Sequence, residues 1–179
     1  AAPVVHIWYL RGTRSWLAYL LSGTDVREEL KAKQLEKVIY FAANLVTWVD
    51  ADKRHEDLGN LEAELNAEKD EIVRERELEL ARRMEELENE IAALEAEGAK
   101  DSDIRSRQKA VDKDLTSIRE RYDEELDLVQ RSYDEFRDLH PRKIIEDEML
   151  WRELKDRYGD YFDGGMGADA LKQLINRID

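Results

Sequence analysis

From Leu58 to Leu94 the apolar residues Leu61, Leu65, Ile72, Leu80, Met84, Leu87, Ile91 and Leu94 recur three, four, seven or eight positions apart among Glu, Arg and Lys. That spacing predicts one apolar stripe on a long amphipathic helix. The stretch AEGAKDSD, residues 96–103, breaks the pattern. Gly98 suits the left-handed position after a helix, and Asp101 or Ser102 suits the cap of the next one. A second stripe follows in Ile104, Val111, Leu115, Ile118, Tyr122, Leu126, Val129, Tyr133 and Phe136. Folded back about residue 99, the stripes align Leu94 with Ile104, Leu87 with Val111, Leu80 with Ile118, Ile72 with Leu126 and Leu65 with Tyr133. Each stripe also slips by one residue, between Ile72 and Leu80 in the first and between Ile118 and Leu126 in the second. The slips are equally far from the turn, as they must be if the two helices pack on each other. They return the stripe toward the 3.6-residue period, so only weak supercoiling is expected. Arms of about 40 residues would each reach roughly 60 Å.

The flanking segments have a different pattern. PVVHIWYL has the β-branched and aromatic content of a strand, residues 14–22 and 28–43 read as helices, and ANLVTWVD is a second strand candidate running into the arm near Asp50. His140-Pro141 marks a break, since proline disfavours helical geometry in the residue before it. IIEDEMLWRELKDRYG then reads as an amphipathic helix with Ile145, Met149, Leu150 and Leu154 inward, and ADALKQLINRI as a shorter one. The two ends need each other to build a core. The expected organisation is a discontinuous domain of residues 1–50 and 141–179, with residues 51–140 inserted as an antiparallel coiled-coil hairpin. The fold class is mainly α with minor β.

Charge separates the same parts. Residues 51–140 hold 29 acidic and 16 basic side chains, whereas the whole 179-residue chain has a net charge of −14. The middle therefore carries nearly all the excess, which argues against a nucleic-acid surface built on overall charge. A hairpin two helices thick also offers no enclosed pocket in which a carboxylate could be desolvated and retuned. With no cysteine the chain has neither disulfides nor thiolate zinc ligands, consistent with a cytoplasmic setting. No apolar run approaches the roughly 18–20 residues of a membrane span. The chain starts at Ala1 and goes straight into an apolar run, which reads as a piece of something longer.

Three ordered blocks then carry a resemblance. AAPVVHIWYL, LEKVIYFAANLV, and DEMLWRELKDRYGDYF with GGMGADAL resemble the clamp region of the bacterial DNA-directed RNA polymerase beta-prime subunit, just after its N-terminal zinc-binding element. The resemblance covers both ends, and the arm with its LEAEGAK turn is similar to the coiled-coil insertion of the actinobacterial type. The chain departs from the pattern at Thr13 to Ser15 and at Asn44, where an aromatic is usual. The resemblance implies a non-catalytic structural piece of an enzyme that synthesises RNA on a DNA template. It also implies the beta, alpha, omega and sigma subunits and DNA as partners, magnesium and zinc bound elsewhere in the full subunit, and transcription-factor contacts through the arm. No membrane is implied, and the isolated piece would be a monomer or weakly self-associating. Two other readings stand beside it: a self-standing hairpin adaptor or holdase-like protein, and a dimer whose long helices pair between chains.

No catalytic, cofactor-binding or metal-binding residue is assigned. GDYFDGGMGADAL, residues 159–171, brings Asp160 and Asp163 against glycines. The catalytic magnesium loop that the resemblance implies has three alternating aspartates, whereas here Gly165 stands where another acid is needed. GGMG lacks the GxxxxGK[ST] pattern of a phosphate loop, so a glycine corner between two helices, with Asp169 near a helix N-terminus, is expected. His6 reads as a packing residue, while His55 and His140 are expected near each other at the base of the arm, where two nitrogens without a third ligand make a weak metal site. Trp8, Trp16, Trp48 and Trp151 read mostly as core. Arg11, Arg14, Lys31, Lys33 and Lys37 form the one basic concentration, read as solvated surface ahead of a nucleic-acid or acidic-partner contact.

Overall fold

A computed structural model describes residues 32–177; the readings on PVVHIWYL, on residues 14–22 and 28–31, and on His6, Trp8, Trp16, Arg11, Arg14 and Lys31 lie outside the described residues. The elements run α1 (Ala32–Ile39), β1 (Asn44–Val49), α2 (Ala51–Ala96), α3 (Asp101–Arg137), β2 (Ile144–Ile145), α4 (Glu148–Tyr158), a 3-10 turn (Gly159–Tyr161), β3 (Phe162–Gly165) and α5 (Gly167–Asn176). The protein is mainly helical with a small sheet. Described residues up to Leu58 and from Arg131 onward form one compact unit, and Gly59–Gln130 form the other.

The second unit is the antiparallel hairpin of α2 and α3. Leu80, Val111 and Leu115 form its buried cluster, with Leu87 and Ile118 packed against them. Leu87 with Val111 and Leu80 with Ile118 were two of the aligned pairs. Burying a Leu or Val side chain contributes about 1.5–3 kcal/mol, more than an exposed ion pair does, so the apolar seam holds the hairpin together. The helices change direction over residues 97–100, with Gly98 at φ +76. Ala99 N donates to Leu94 O and Gly98 N to Glu95 O, so carbonyls left open at the end of α2 are satisfied inside the turn.

In the first unit β1 is the central strand of a three-stranded sheet in the order β2-β1-β3, antiparallel to both neighbours. Leu45 of β1, Leu35 and Val38 of α1, and Ala170, Leu171 and Leu174 of α5 form one buried cluster. Aromatic rings build a second group. Phe136 stacks on Tyr158 at 4.2 Å between centroids and meets Tyr161 edge-on at 5.2 Å, and Trp151 meets Phe162 edge-on at 5.5 Å.

The structure revises three local expectations. Helix α1 stops at Ile39 rather than near residue 43. Its end is a Schellman turn in which Ala42 N donates to Lys37 O and Phe41 N to Val38 O, with Phe41 at φ +60 in the position glycine usually takes. Ile144 and Ile145 belong to β2 and not to the following helix, because Asp147 caps α4 by accepting from Met149 N and Leu150 N. Met149, expected inward, is 66% exposed because it lies off the face that buries Leu150, Trp151, Leu154 and Tyr158.

Candidate functional site

The stretch with paired acids and glycines does lie between two helices, α4 and α5, but it folds as a 3-10 turn and a paired strand rather than as a plain glycine corner. Phe162–Gly165 pairs with β1, Val49 facing Phe162 and Leu45 facing Gly165. Thr47 is the extra residue of a bulge, since Val46 and Trp48 face the adjacent Gly164 and Asp163. Its hydroxyl is buried without a hydrogen-bond partner among the described residues. Gly164 is required by close approach: a Cβ there would lie 2.3 Å from Leu45 O and 2.8 Å from Trp151 Cη2. Gly167, at φ +81, starts α5 with the Phe41 ring across it, 3.0 Å from where a Cβ would sit.

This backbone holds Asp160 and Asp163 apart in role. Asp160 is exposed in the 3-10 turn. Asp163 is exposed in β3 and accepts from Arg177 at 3.3 Å, and the Arg177 guanidinium lies 5.4 Å over the Trp48 ring. Asp169 is in the first turn of α5, as expected, although the cap residue Met166 makes no side-chain cap. Among the described residues no group of three or more His, Asp or Glu is placed to hold a metal ion.

A second constellation joins the first turns of α2 to the end of α3. The Arg54 guanidinium donates to Phe136 O at 2.9 Å and Leu139 O at 2.6 Å, and lies over the Phe136 ring. Burial lowers its pKa, opposed by the charge of Asp138. Tyr161 donates to Asp57 at 2.6 Å, with Lys53 over the Tyr161 ring at 4.7 Å. The cation thus adds a donor to Phe136 O in the last turn of α3 and satisfies Leu139 O just beyond it. These groups offer an anchor rather than acid or base chemistry, since both carbonyls and the Asp57 carboxylate are already engaged.

The hairpin carries the richest electrostatics. Arg83 bridges to Asp114 at 3.0 Å, Arg76 to Asp123 at 3.1 Å, and Arg107 to Glu90, while Lys69 donates to Gln130 at 2.6 Å. Each joins α2 to α3 about the same turn, so charges flanking the seam repeat the register of its apolar residues. At the slip in the stripes, Glu79 accepts from both the Tyr122 hydroxyl and the Arg121 guanidinium. The Tyr122 bond and then the Arg121 bond hold the Glu79 carboxyl below its ordinary pKa, and the same bond to Glu79 raises that of Tyr122. Sequence reading placed Tyr122 in the seam but missed these partners; their signal was the Arg and Glu positions beside each stripe.

His140 sets its Nδ1 2.9 Å from Pro141 O, and His55 is exposed on α2. Trp151 is buried as expected, whereas Trp48 is half-buried under Arg177. Lys37 pairs with Glu146 at 2.8 Å on the surface, and Lys33 is exposed. Asn44 is buried and donates to Glu148 at 3.2 Å, a polar contact in a position read as usually aromatic.

No family model matches the chain. Among curated proteins it is 48% identical over 179 residues to the DNA-directed RNA polymerase subunit beta' of Corynebacterium jeikeium, covering 100% of this chain. It is 48% identical over 175 residues to that of Acidothermus cellulolyticus and 45% identical over 180 residues to that of Salinispora tropica. The chain spans 13% of the length of each of these relatives. The match runs through the hairpin as well as both ends, so these relatives carry a counterpart of the arm. The chain belongs to the beta-prime subunit family of DNA-directed RNA polymerase, as the counterpart of one segment of that subunit.

Proposed function

We propose that this chain is a structural clamp element of a DNA-directed RNA polymerase, an enzyme that joins ribonucleotides on a DNA template. Its partners are the beta, alpha, omega and sigma subunits and DNA. Magnesium and zinc bind elsewhere in the subunit, and no residue of this chain takes part in the chemistry. The organisation proposed is a discontinuous domain of residues 1–50 and 141–179 interrupted by the arm of residues 51–140, whose exposed faces contact transcription factors or DNA. The observation that carries the reading is similarity at 45–48% identity along the whole chain, arm included.

A chimera tests it. This chain is exchanged for the matching segment of the Corynebacterium jeikeium subunit, and the assembled enzyme is assayed for RNA synthesis. Assembly and synthesis are expected, and they should survive Asp160→Ala and Asp163→Ala, which change exposed side chains. Loss of nucleotide addition in those variants, with assembly intact, would overturn the non-catalytic assignment.

A further inference from the structure

The arm is acidic, yet one face of it is not. Gly59–Gln130 contains 23 acidic and 12 basic residues. Arg74, Arg76, Arg82, Arg83, Arg107 and Arg121 are in ion pairs with Glu or Asp. On α3 near the turn, Arg105, Lys109 and Lys113 are exposed and, among the described residues, in no ion pair. They follow one another four residues apart, so they share a line on the helix opposite buried Val111 and Leu115. The line rises about 6 Å per step, on the scale of successive phosphates along a nucleic-acid strand. Ser102, Ser106, Thr116 and Ser117 flank it, all exposed, and Asp101, four residues before Arg105, and Asp112 are the acids beside it. Past Ser117 the same face reverses sign through Glu120, Glu124 and Asp127. Of the arm's five exposed cations in no ion pair among the described residues, Lys100, Arg105, Lys109, Lys113 and Arg119, three share this line, with hydroxyls beside them.

We infer that the Arg105–Lys109–Lys113 line is a contact for the phosphate backbone of duplex DNA, an inference that rests on the arm being a contact surface of the polymerase. Cations interleaved with hydroxyls are the side chains that bind phosphate oxygens. The line carries no aromatic residue on which unpaired bases would stack, which selects duplex over single strand. The surplus acids of the arm do not prevent the contact. The Debye length is about 8 Å at physiological salt, and a helix with its side chains is about 10–12 Å across, so acids on the far side are screened.

The test uses the assembled polymerase on linear duplex promoter DNA, with complex affinity measured against salt concentration. Three enzymes are compared with the parent: Arg105→Gln/Lys109→Gln/Lys113→Gln, the off-line control Arg119→Gln, and one lacking Gly59–Gln130. Loss of three phosphate contacts makes the slope of log affinity against log salt shallower by about 2.7. That equals about a fortyfold smaller loss of affinity between 50 and 200 mM salt. The triple variant should show this and Arg119→Gln should not, with helical content unchanged in both. An unchanged slope in the triple variant, where the deletion does alter DNA or factor binding, overturns this inference alone and leaves the arm as a contact surface. An unchanged slope with weakened binding of a protein factor overturns it in favour of an acidic protein partner. A deletion with no effect on DNA or factor binding overturns both readings.

Discussion

Gly164 shows how one residue type can be dictated by two neighbours at once. Its missing Cβ makes room for the Leu45 carbonyl on one side and the Trp151 ring on the other, so the backbone of β1 cannot yield. Gly164→Ala should destabilise by about 2 kcal/mol or more, as over-packing does. Gly165→Ala, with nothing within 4 Å of the added atom, should change the melting midpoint little. Thr47 makes the converse case, since its hydroxyl in the bulge is buried without a partner among the described residues. Thr47→Val keeps the shape and removes that group, so it should raise stability by about 1 kcal/mol in urea unfolding. In the sequence these glycines were visible as a cluster, but their reason was not. The space at Gly164 is set by Trp151 and Leu45, which no local pattern connects to it.

At the scale of elements, the sequence was most informative where a pattern repeats. Two long stripes pointed to the partner, the turn and a central part of the facing register of α2 and α3, where Leu80, Leu87, Val111 and Ile118 pack together, because many equivalent positions had to agree. The sheet was only partly legible. Strand β1 stood out through its β-branched and aromatic residues, whereas β2 has two residues and β3 contains two glycines, so neither carries the alternation that marks a strand. Their pairing comes from β1 between them. The arm's charged register has its own pH signature. Hydrogen bonds from Tyr122 and Arg121 depress the Glu79 pKa, so its contribution is present above the ordinary carboxylate pKa and is lost as pH falls through the depressed value. Glu79→Gln should therefore melt lower than the parent at pH 7. The gap should close as acid protonates the parent's Glu79, and a gap that stays constant down to strongly acid pH would contradict the assigned pairing.

At the scale of the whole molecule, two kinds of structure with different demands share one chain. The sheet unit is specific in its packing, with buried aromatics and glycines chosen by close approach, while the hairpin is held by a narrow seam and dressed in charge. Under the role proposed above, the sheet unit would be built into the assembly and the hairpin offered to partners. The acids of the arm are engaged across the seam or solvated, and the side chains of Asp160 and Asp163 are exposed. The most direct measurement is on an assembled polymerase whose beta-prime subunit has Gly59–Gln130 replaced by a short turn. Ribonucleotide addition on a preformed DNA–RNA scaffold is predicted to proceed at the parent rate, while promoter-complex lifetime or factor binding changes. Loss of nucleotide addition in an intact assembly, or no change in any of these readouts, would contradict the account.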